Sequence, residues 1–466
     1  MKMSFRRGRL ATAASVLVTG SVLLADGTRF SDFTPLSASA GPTVNEAMPI
    51  TFGNPQFRQY SIADRNTQLL LSRPNSGSWD MNTVNETGPH KGSHLFTVFE
   101  TGSSGVQRIN LTTGEAETIW QTPTAGGHVS FDACYWTPWG TLITAEESWE
   151  TAAGGSTSPY GRLFELRNPL TAPGIFNPVT GSSNTGADFV HRNVIPRVSH
   201  EGIQFDKTGN MYFIDELNGG SLYKYTPKAS WGEIMSGRAE YFSAGQTFVL
   251  RVGTGNTPNA TGAYQWIPIT NVNGVGLPGT ITITDTRGVT SVDARNTTEL
   301  PAFKGTDYQR PEDMQIQYVG GNEFLYVTTT TTHETYRLDL KRDTISVFVD
   351  RNTIDLATGV AVGGALANPD NLAIDHDGNI YIIEDRNGGT DDDIWFARDL
   401  NFDGDLQDAG EGIGRWASNG TVGSEFTGPL FRSDEQAPCL GQHSAPWQRQ
   451  RPDDRNHDPV KTERPT

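Results

Sequence analysis

The sequence predicts an all-β protein, a six-bladed β-propeller with long inter-blade loops. Three observations carry that expectation. Glycine (51) and proline (26) together fill 77 of 466 positions while charged residues make up only 19%, which favours short strands joined by tight turns over long helices or charge-rich disorder. No segment keeps a 3.6-residue apolar period over three or more turns. And one strand–turn–strand pattern recurs along the chain, as propeller blades do. The length could hold two or three average domains, but a propeller fills it as one. At roughly 45–65 residues per blade, six or seven blades fit.

In chain order, residues 1–40 read as an export signal. Lys2, Arg6, Arg7 and Arg9 precede the apolar run Leu10–Leu24, and small residues at Ala38 and Ala40 precede Gly41. The run is too short to span a bilayer. The Arg6–Arg7 pair fits the twin-arginine route, with Phe5, Gly8 and Arg9 around it matching that consensus only in part, and an ordinary secretory signal with a basic start fits equally. The exported chain is expected in the periplasm or outside the cell. The net charge is −17, and the basic first 40 residues make the remainder more acidic still. Such a surface repels nucleic acid and anionic membranes and suits divalent cations. No other segment is long and apolar enough to span a membrane, and a monomer is expected.

The domain proper is expected over 41–431. Its repeats begin at Phe131 (FDACYWTPWGTLITAEES), His200 (HEGIQFDKTGNMYFIDELNGG) and Pro369 (PDNLAIDHDGNIYIIEDRNGG). In each, an acid precedes an alternating strand, a glycine turn follows, and a second strand ends in an acidic pair. Asp132 to Glu146, Glu201 to Asp215 and Asp370 to Glu384 are all 14 residues apart. A fourth copy carries Glu312, but its second strand ends in Thr328–Thr332, where the acidic pair is missing. In a propeller the first strand of each blade lines the central channel, so Asp132, Glu146, Glu147, Glu201, Glu312 and Asp370 converge on one mouth. Crowded carboxylates raise one another's pKa unless cations are present, and hard cations with oxygen ligands relieve the repulsion. Asp206 and Asp377 sit inside the turns, where capping explains them. His128 and His200 begin strands and are candidates to face the funnel. The segments 150–195 and 245–310, rich in Gly, Asn, Thr and Pro, read as loops that shape a pocket.

Asp399, Asn401, Asp403 and Asp405 with Gly404 match the opening of a calcium loop, in which alternate acids point inward. Gly410 stands at the closing position, with Asp408 and Glu411 beside it. The polar stretch 432–466 is expected to be a disordered tail. Cys134 and Cys439 could form one bridge, or be a buried thiol and a tail thiol. GxSxG, HExxH, P-loop and dinucleotide fingerprints are absent, so no side-chain nucleophile or nucleotide cradle is expected.

The stretch TPWGTLITAEES (Thr137–Ser148), the HEG at His200 and the RPEDM at Arg310 together resemble the PhoX family of secreted alkaline phosphatases over about 85–430. The resemblance implies a propeller exported by the twin-arginine route. It also implies a funnel cluster of calcium and iron that hydrolyses small phosphate esters, with a metal-bound oxygen attacking phosphorus. By motif, Glu146, Glu147, Glu201, Glu312, Asp370 and Asn371 carry over as metal ligands. Arg310 carries over as the phosphate-binding arginine, and Arg310 and Glu312 are the catalytic candidates. The family's iron-ligating cysteine falls at Ala145. Without that thiolate, several calcium ions are expected and iron loses its soft ligand. A calcium-dependent propeller lactonase or esterase, or a non-catalytic calcium-binding surface propeller, are the alternatives.

Overall fold

The computed structural model describes residues 33–431, apart from 43–47, 56, 124–126, 149–150, 153–154, 157, 176–185, 376, 387–391, 398 and 402, together with 438–439 and 442–443. The core of the expected export signal, and nearly all of the expected tail, lie outside the described residues.

Alternating sequences such as His94–Phe99 (HLFTVF) and Thr344–Val349 (TISVFV) form strands because β-branched and aromatic side chains suit a pleated, half-buried surface. These strands build five antiparallel four-stranded meanders. Blade 1 comprises Trp79–Val84, His94–Phe99, Gly105–Asn110 and Ala116–Gln121; blade 2 comprises Phe131–Trp136, Leu142–Glu146, Leu163–Leu166 and Phe189–His191. Blade 3 comprises Ile203–Phe205, Met211–Ile214, Leu222–Pro227 and Gly245–Val252; blade 4 comprises Pro311–Val319, Asn322–Thr329, Glu334–Asp339 and Thr344–Val349. Blade 5 comprises Pro369–Ile374, Ile380–Glu384, Asp393–Ala397 and Ile413–Asn419, and Ile50–Phe52 adds to its outer edge.

Five such meanders, and not the expected six, occur among the described residues. The length that seemed to call for another blade is spent at blade edges. Gly262–Pro268 runs as a fifth strand beside Gly245–Val252 and touches the outer strand of blade 4 at Ile345. The loop expectation for 150–195 and 245–310 is likewise corrected, since both segments supply outer strands. Their apolar alternation (LFEL, TFVLRV, AYQWI) outweighs the turn residues around it.

First strands of successive blades lie side by side around a channel whose cavity measures about 170 Å³. Every blade lines it, through Asn82, Cys134, Gln204, Gln315 and Ala373 among others. Cys134 is a free, buried thiol, and the side chain of Cys439 lies outside what the structure describes. Large buried aromatics fill the spaces within and between blades, Trp395, Trp416, Tyr223, Tyr326 and Tyr381 among them. At ~25 cal/mol per Å² each such ring contributes on the order of 4–6 kcal/mol of gross apolar burial.

Hydrogen bonds sew neighbours together. Trp136 N–H donates to Thr83 Oγ1 (3.1 Å), His200 N–H to the Glu146 carbonyl (3.1 Å) and Gly202 N–H to the Glu312 carbonyl (3.1 Å). Leu372 N–H donates to buried Asp313 (2.9 Å). The ring closes at Gly428, inserted between blades 5 and 1. Its N–H donates to Asn371 Oδ1 (2.7 Å), and its carbonyl accepts from Asn82 Nδ2 (3.1 Å). Gly428 has φ +53°, and a Cβ there would stand 2.5 Å from Asn82 N. Gly428→Ala is therefore expected to strain the seam and lower stability by about 2 kcal/mol or more, read as a drop in Tm. An unchanged Tm would show that the seam does not hold the ring.

Candidate metal centre

One local irregularity repeats in four blades. In the first hairpin of each, Trp79 pairs with Phe99, Phe131 with Glu146, Pro311 with Thr329 and Pro369 with Glu384. The next ladder pair in each case lies three residues on along the inner strand but only two back along its partner. The extra residue makes a bulge, a device that re-aims a side chain. Asp80, Asp132, Glu312 and Asp370 are the first residues inside those bulges. The residues just beyond the paired ends of the second strands are Glu100, Glu147, Thr330 and Asp385. In blade 3, whose ladder starts later, the same places hold Glu201 and Glu216.

These side chains meet. Asp80, Glu100 and Glu425 form one group of carboxylates with oxygens within 4.8 Å of one another; Glu100, Asp132 and Glu147 form a second, Asp132, Glu201 and Glu216 a third, and Glu201, Glu312 and Asp370 a fourth. The groups overlap, so nine carboxylates form one chain around the mouth. Burial first, and neighbouring carboxylates second, push Asp132, Glu201, Glu216 and Asp370 well above the usual carboxylate range. Burial also raises Glu312, with Arg310 opposing it. Both oxygens of Asp132 and of Glu312, Oε2 of Glu201 and Oε2 of Glu216 are buried with no hydrogen-bond donor.

Arg310 stands at the edge of this chain. Its Nη2 donates to Glu216 Oε1 (2.8 Å) and lies 3.0 Å from Glu312 Oε1, there off hydrogen-bond geometry. Its backbone is left-handed (φ 53°), a conformation that costs a non-glycine residue free energy and that collects at functional sites. Asn371 sits beside the ring, donating to Asp370 Oδ1 (3.0 Å) while its own oxygen takes the Gly428 N–H.

Glu147, Glu201, Glu312 and Asp370 are thus brought together, and Glu146 is not. Glu146 turns into the blade, where Arg162 Nε donates to it (2.7 Å) and both side chains are fully buried. The acids at 14-residue spacing are the wrong members of their pairs. Asp215 accepts the Ser199 N–H (2.9 Å) and Glu384 accepts from Trp395 Nε1 (3.0 Å). Strand alternation sends the following residue to the funnel, at spacing 15. Asp80, Glu100, Glu216, Asp385 and Glu425 were missed. Asp80 had a signal, the aromatic–acid pair Trp79–Asp80 that parallels Phe131–Asp132, but the longer hairpin of blade 1 hid it.

The Asp399–Asp405 loop lies between the outer strands of blade 5, away from the ring. Asp399 accepts the Asp403 (3.2 Å) and Gly404 (2.6 Å) N–H groups, and Glu411 accepts the Leu400 N–H (2.7 Å). Asn401 donates to Asp403 (3.0 Å), and Asp405 accepts the Gln407 N–H (2.9 Å). No group of three acidic, His or Cys ligand atoms forms there among the described residues.

His200 is fully buried against Phe213, with ring centroids 5.6 Å apart, and burial lowers its pKa to about 3. His128 lies in an aromatic cluster with Trp120 and Phe164 and is lowered likewise. Neither joins a ligand group. Ala145 packs in the apolar cluster with Ile143, Val198 and Ile203. The four ligand groups are carboxylate only, a hard oxygen donor set that fits calcium or magnesium.

The sequence profile of the family described as alkaline phosphatase PhoX matches residues 87–443. No curated protein sequence matches the chain. Among solved structures, Pseudomonas fluorescens PhoX in complex with vanadate, a transition state analogue, superposes with a TM-score of 0.53 at 15% identity, covering 88% of this chain and 92% of that one. That likeness is one of fold, and it makes the ring of blades a β-propeller. A gluconolactonase from Xanthomonas campestris gives a TM-score of 0.37 at 11% identity, over 90% of this chain and 96% of that one.

The two adjacent glutamates should behave oppositely. Glu146→Gln leaves the Arg162 guanidinium buried with its main partner neutralised and is expected to cost about 3–5 kcal/mol of stability. Glu147→Gln removes one charge from a crowded ring and is expected to keep or raise the Tm of the chelator-treated protein while lowering its uptake of divalent cations. Calorimetry and elemental analysis of both variants check this, and reversed outcomes would exchange their roles.

Proposed function

The chain belongs to the alkaline phosphatase PhoX family, and from that premise we propose that it hydrolyses phosphoric esters at the carboxylate ring. Calcium ions would be held there by Asp132, Glu147, Glu201, Glu216, Glu312 and Asp370. The observation that carries this reading is the set of buried carboxylate oxygens without a donor. Oxygens in that state call for protons or cations. Bound cations would neutralise the ring, polarise a phosphoryl oxygen and lower the pKa of an attacking water. The vanadate complex of the Pseudomonas relative supports a phosphoryl-transfer site in this fold.

The chain's own residues have separable tasks. Arg310 offers a planar guanidinium to non-bridging phosphoryl oxygens, and Glu216 holds that guanidinium in place (2.8 Å). The bulges hold Asp132, Glu312 and Asp370 in the ring, each with an oxygen within 4.8 Å of one on Glu201, and a pre-aimed charge needs no reorganisation when the reaction begins. The buried Glu146–Arg162 pair beneath the rim fixes the strand from which Glu147 projects.

The calcium-loaded protein is expected to hydrolyse p-nitrophenyl phosphate, to lose activity with a chelator and to regain it with calcium. Glu312→Gln is expected to lower kcat by about 100-fold or more. Turnover of a lactone and of no phosphate ester would replace this reading with the lactonase one. Export is part of the proposal and rests on Arg6, Arg7 and the apolar run Leu10–Leu24. Replacing Arg6 and Arg7 together by Lys is expected to trap the protein in the cytoplasm on cell fractionation, and unchanged export would point to the general secretory route.

A further inference from the structure

The blades do not contribute equally to the ring. Blades 1, 2 and 3 each bring two acids to the grouped carboxylates, Asp80 and Glu100, Asp132 and Glu147, Glu201 and Glu216. Blade 5 brings Asp370 to them and sets a second acid, Asp385, near enough to act on Asp370 and Glu312 by its charge. Blade 4 brings Glu312 and Thr330. Register makes the positions equivalent, since Thr329 pairs with Pro311 as Glu146 does with Phe131 and Glu384 with Pro369. Thr330 is buried (3% exposed). Its hydroxyl donates to the Pro369 carbonyl (3.2 Å) and its side chain stands beside Glu312.

The same sector carries the guanidinium. Thr330 N–H donates to the Arg310 carbonyl (2.9 Å), which ties the two residues together. From the other side Gln309 pairs with Asn218 in a short ladder, and the exposed Thr331 donates to Asn218 Oδ1 (3.0 Å). Arg310 is thus clamped between blades 3 and 4, beside the one ring position that is a hydroxyl. A phosphate ester at neutral pH carries up to two negative charges. In a site screened poorly by water, a carboxylate a few ångströms from it is strongly repulsive, and leaving a charge out is as effective a selector as adding an attractive one.

We propose that the phosphoryl group docks over blade 4, between Arg310 and Thr330, and that Thr330 is a specificity-determining residue because it keeps a second carboxylate out of that sector. This rests on the phosphatase reading above. It goes further by assigning the anion to one sector of the ring and naming the residue that reserves it.

The test compares Thr330→Asp with its neutral counterpart Thr330→Asn in the full-length, calcium-loaded protein. Calorimetric binding of inorganic phosphate is measured beside p-nitrophenyl phosphate kinetics. Thr330→Asp is expected to raise the phosphate Kd and the KM by about tenfold or more, with calcium content equal or higher and kcat changed by less than KM. Thr330→Asn is expected to stay within about threefold on both measures. Should Thr330→Asp fail to fold, Thr331→Asp on the exposed rim is expected to raise Kd about two- to fivefold. Phosphate bound as tightly by Thr330→Asp as by the unmodified protein, or weakened as much by Thr330→Asn, overturns the inference. So does absence of phosphate binding by the unmodified loaded protein. Phosphate binding that depends on Thr330 without ester turnover keeps the docking sector and removes the hydrolase reading.

Discussion

Repulsion between buried carboxylates is the constraint on which the rest of this structure depends. Nine carboxylates, seven of them buried, form overlapping groups at one mouth of the propeller, and burial with mutual charge drives up the pKa values of Asp132, Glu201, Glu216 and Asp370. Without cations such a cluster favours protonation over ionisation. The surrounding scaffold must therefore impose the cluster, and the work falls to backbone features that cannot relax: bulges in the inner strands, inter-blade hydrogen bonds and the seam at Gly428.

The bulge divides labour between adjacent acids. At the exit of each second strand one residue turns into the blade and the next turns to the funnel. The inward ones are matched by partners of their own, Glu146 by Arg162, Asp215 by the Ser199 N–H and Glu384 by Arg386 and Trp395. The outward ones, Glu147, Glu216 and Asp385, join or adjoin the ring. Asp313 shows the same division on an inner strand. Beside Glu312, which faces the funnel, it takes the Leu372 N–H and binds blade 4 to blade 5. Stability and the candidate chemistry thus rest on neighbouring residues of the same type.

Asymmetry is the second property of the ring. Five blades with equal pairs of acids would form a uniform cation trap with no place for an anion. Blade 4 breaks the pattern with Thr330 and places Arg310 beside it, held on left-handed backbone by contacts to blade 3. The proposed site, which would hold cations and admit a phosphate ester, needs both kinds of sector, and the propeller offers them by varying one register position.

Much of this was legible in the amino-acid order. Glycine and proline content with short alternating strands implied an all-β chain, the repeats implied blades, and recurrent acids at strand starts placed Glu201, Glu312 and Asp370 near one mouth. Those features are local, and local patterns survive in one dimension. What tertiary structure alone decided was facing and closure. The repeat spacing pointed to Glu146, and only the bulge register and the buried Arg162 sent Glu146 inward and Glu147 outward. Asp80, Glu100 and Glu425 are far apart in the chain and join because Gly428 brings the last segment between blades 5 and 1. Side-chain direction after a bulge depends on a partner strand, and ring closure depends on residues more than 300 positions apart, so neither is written in any single stretch of sequence.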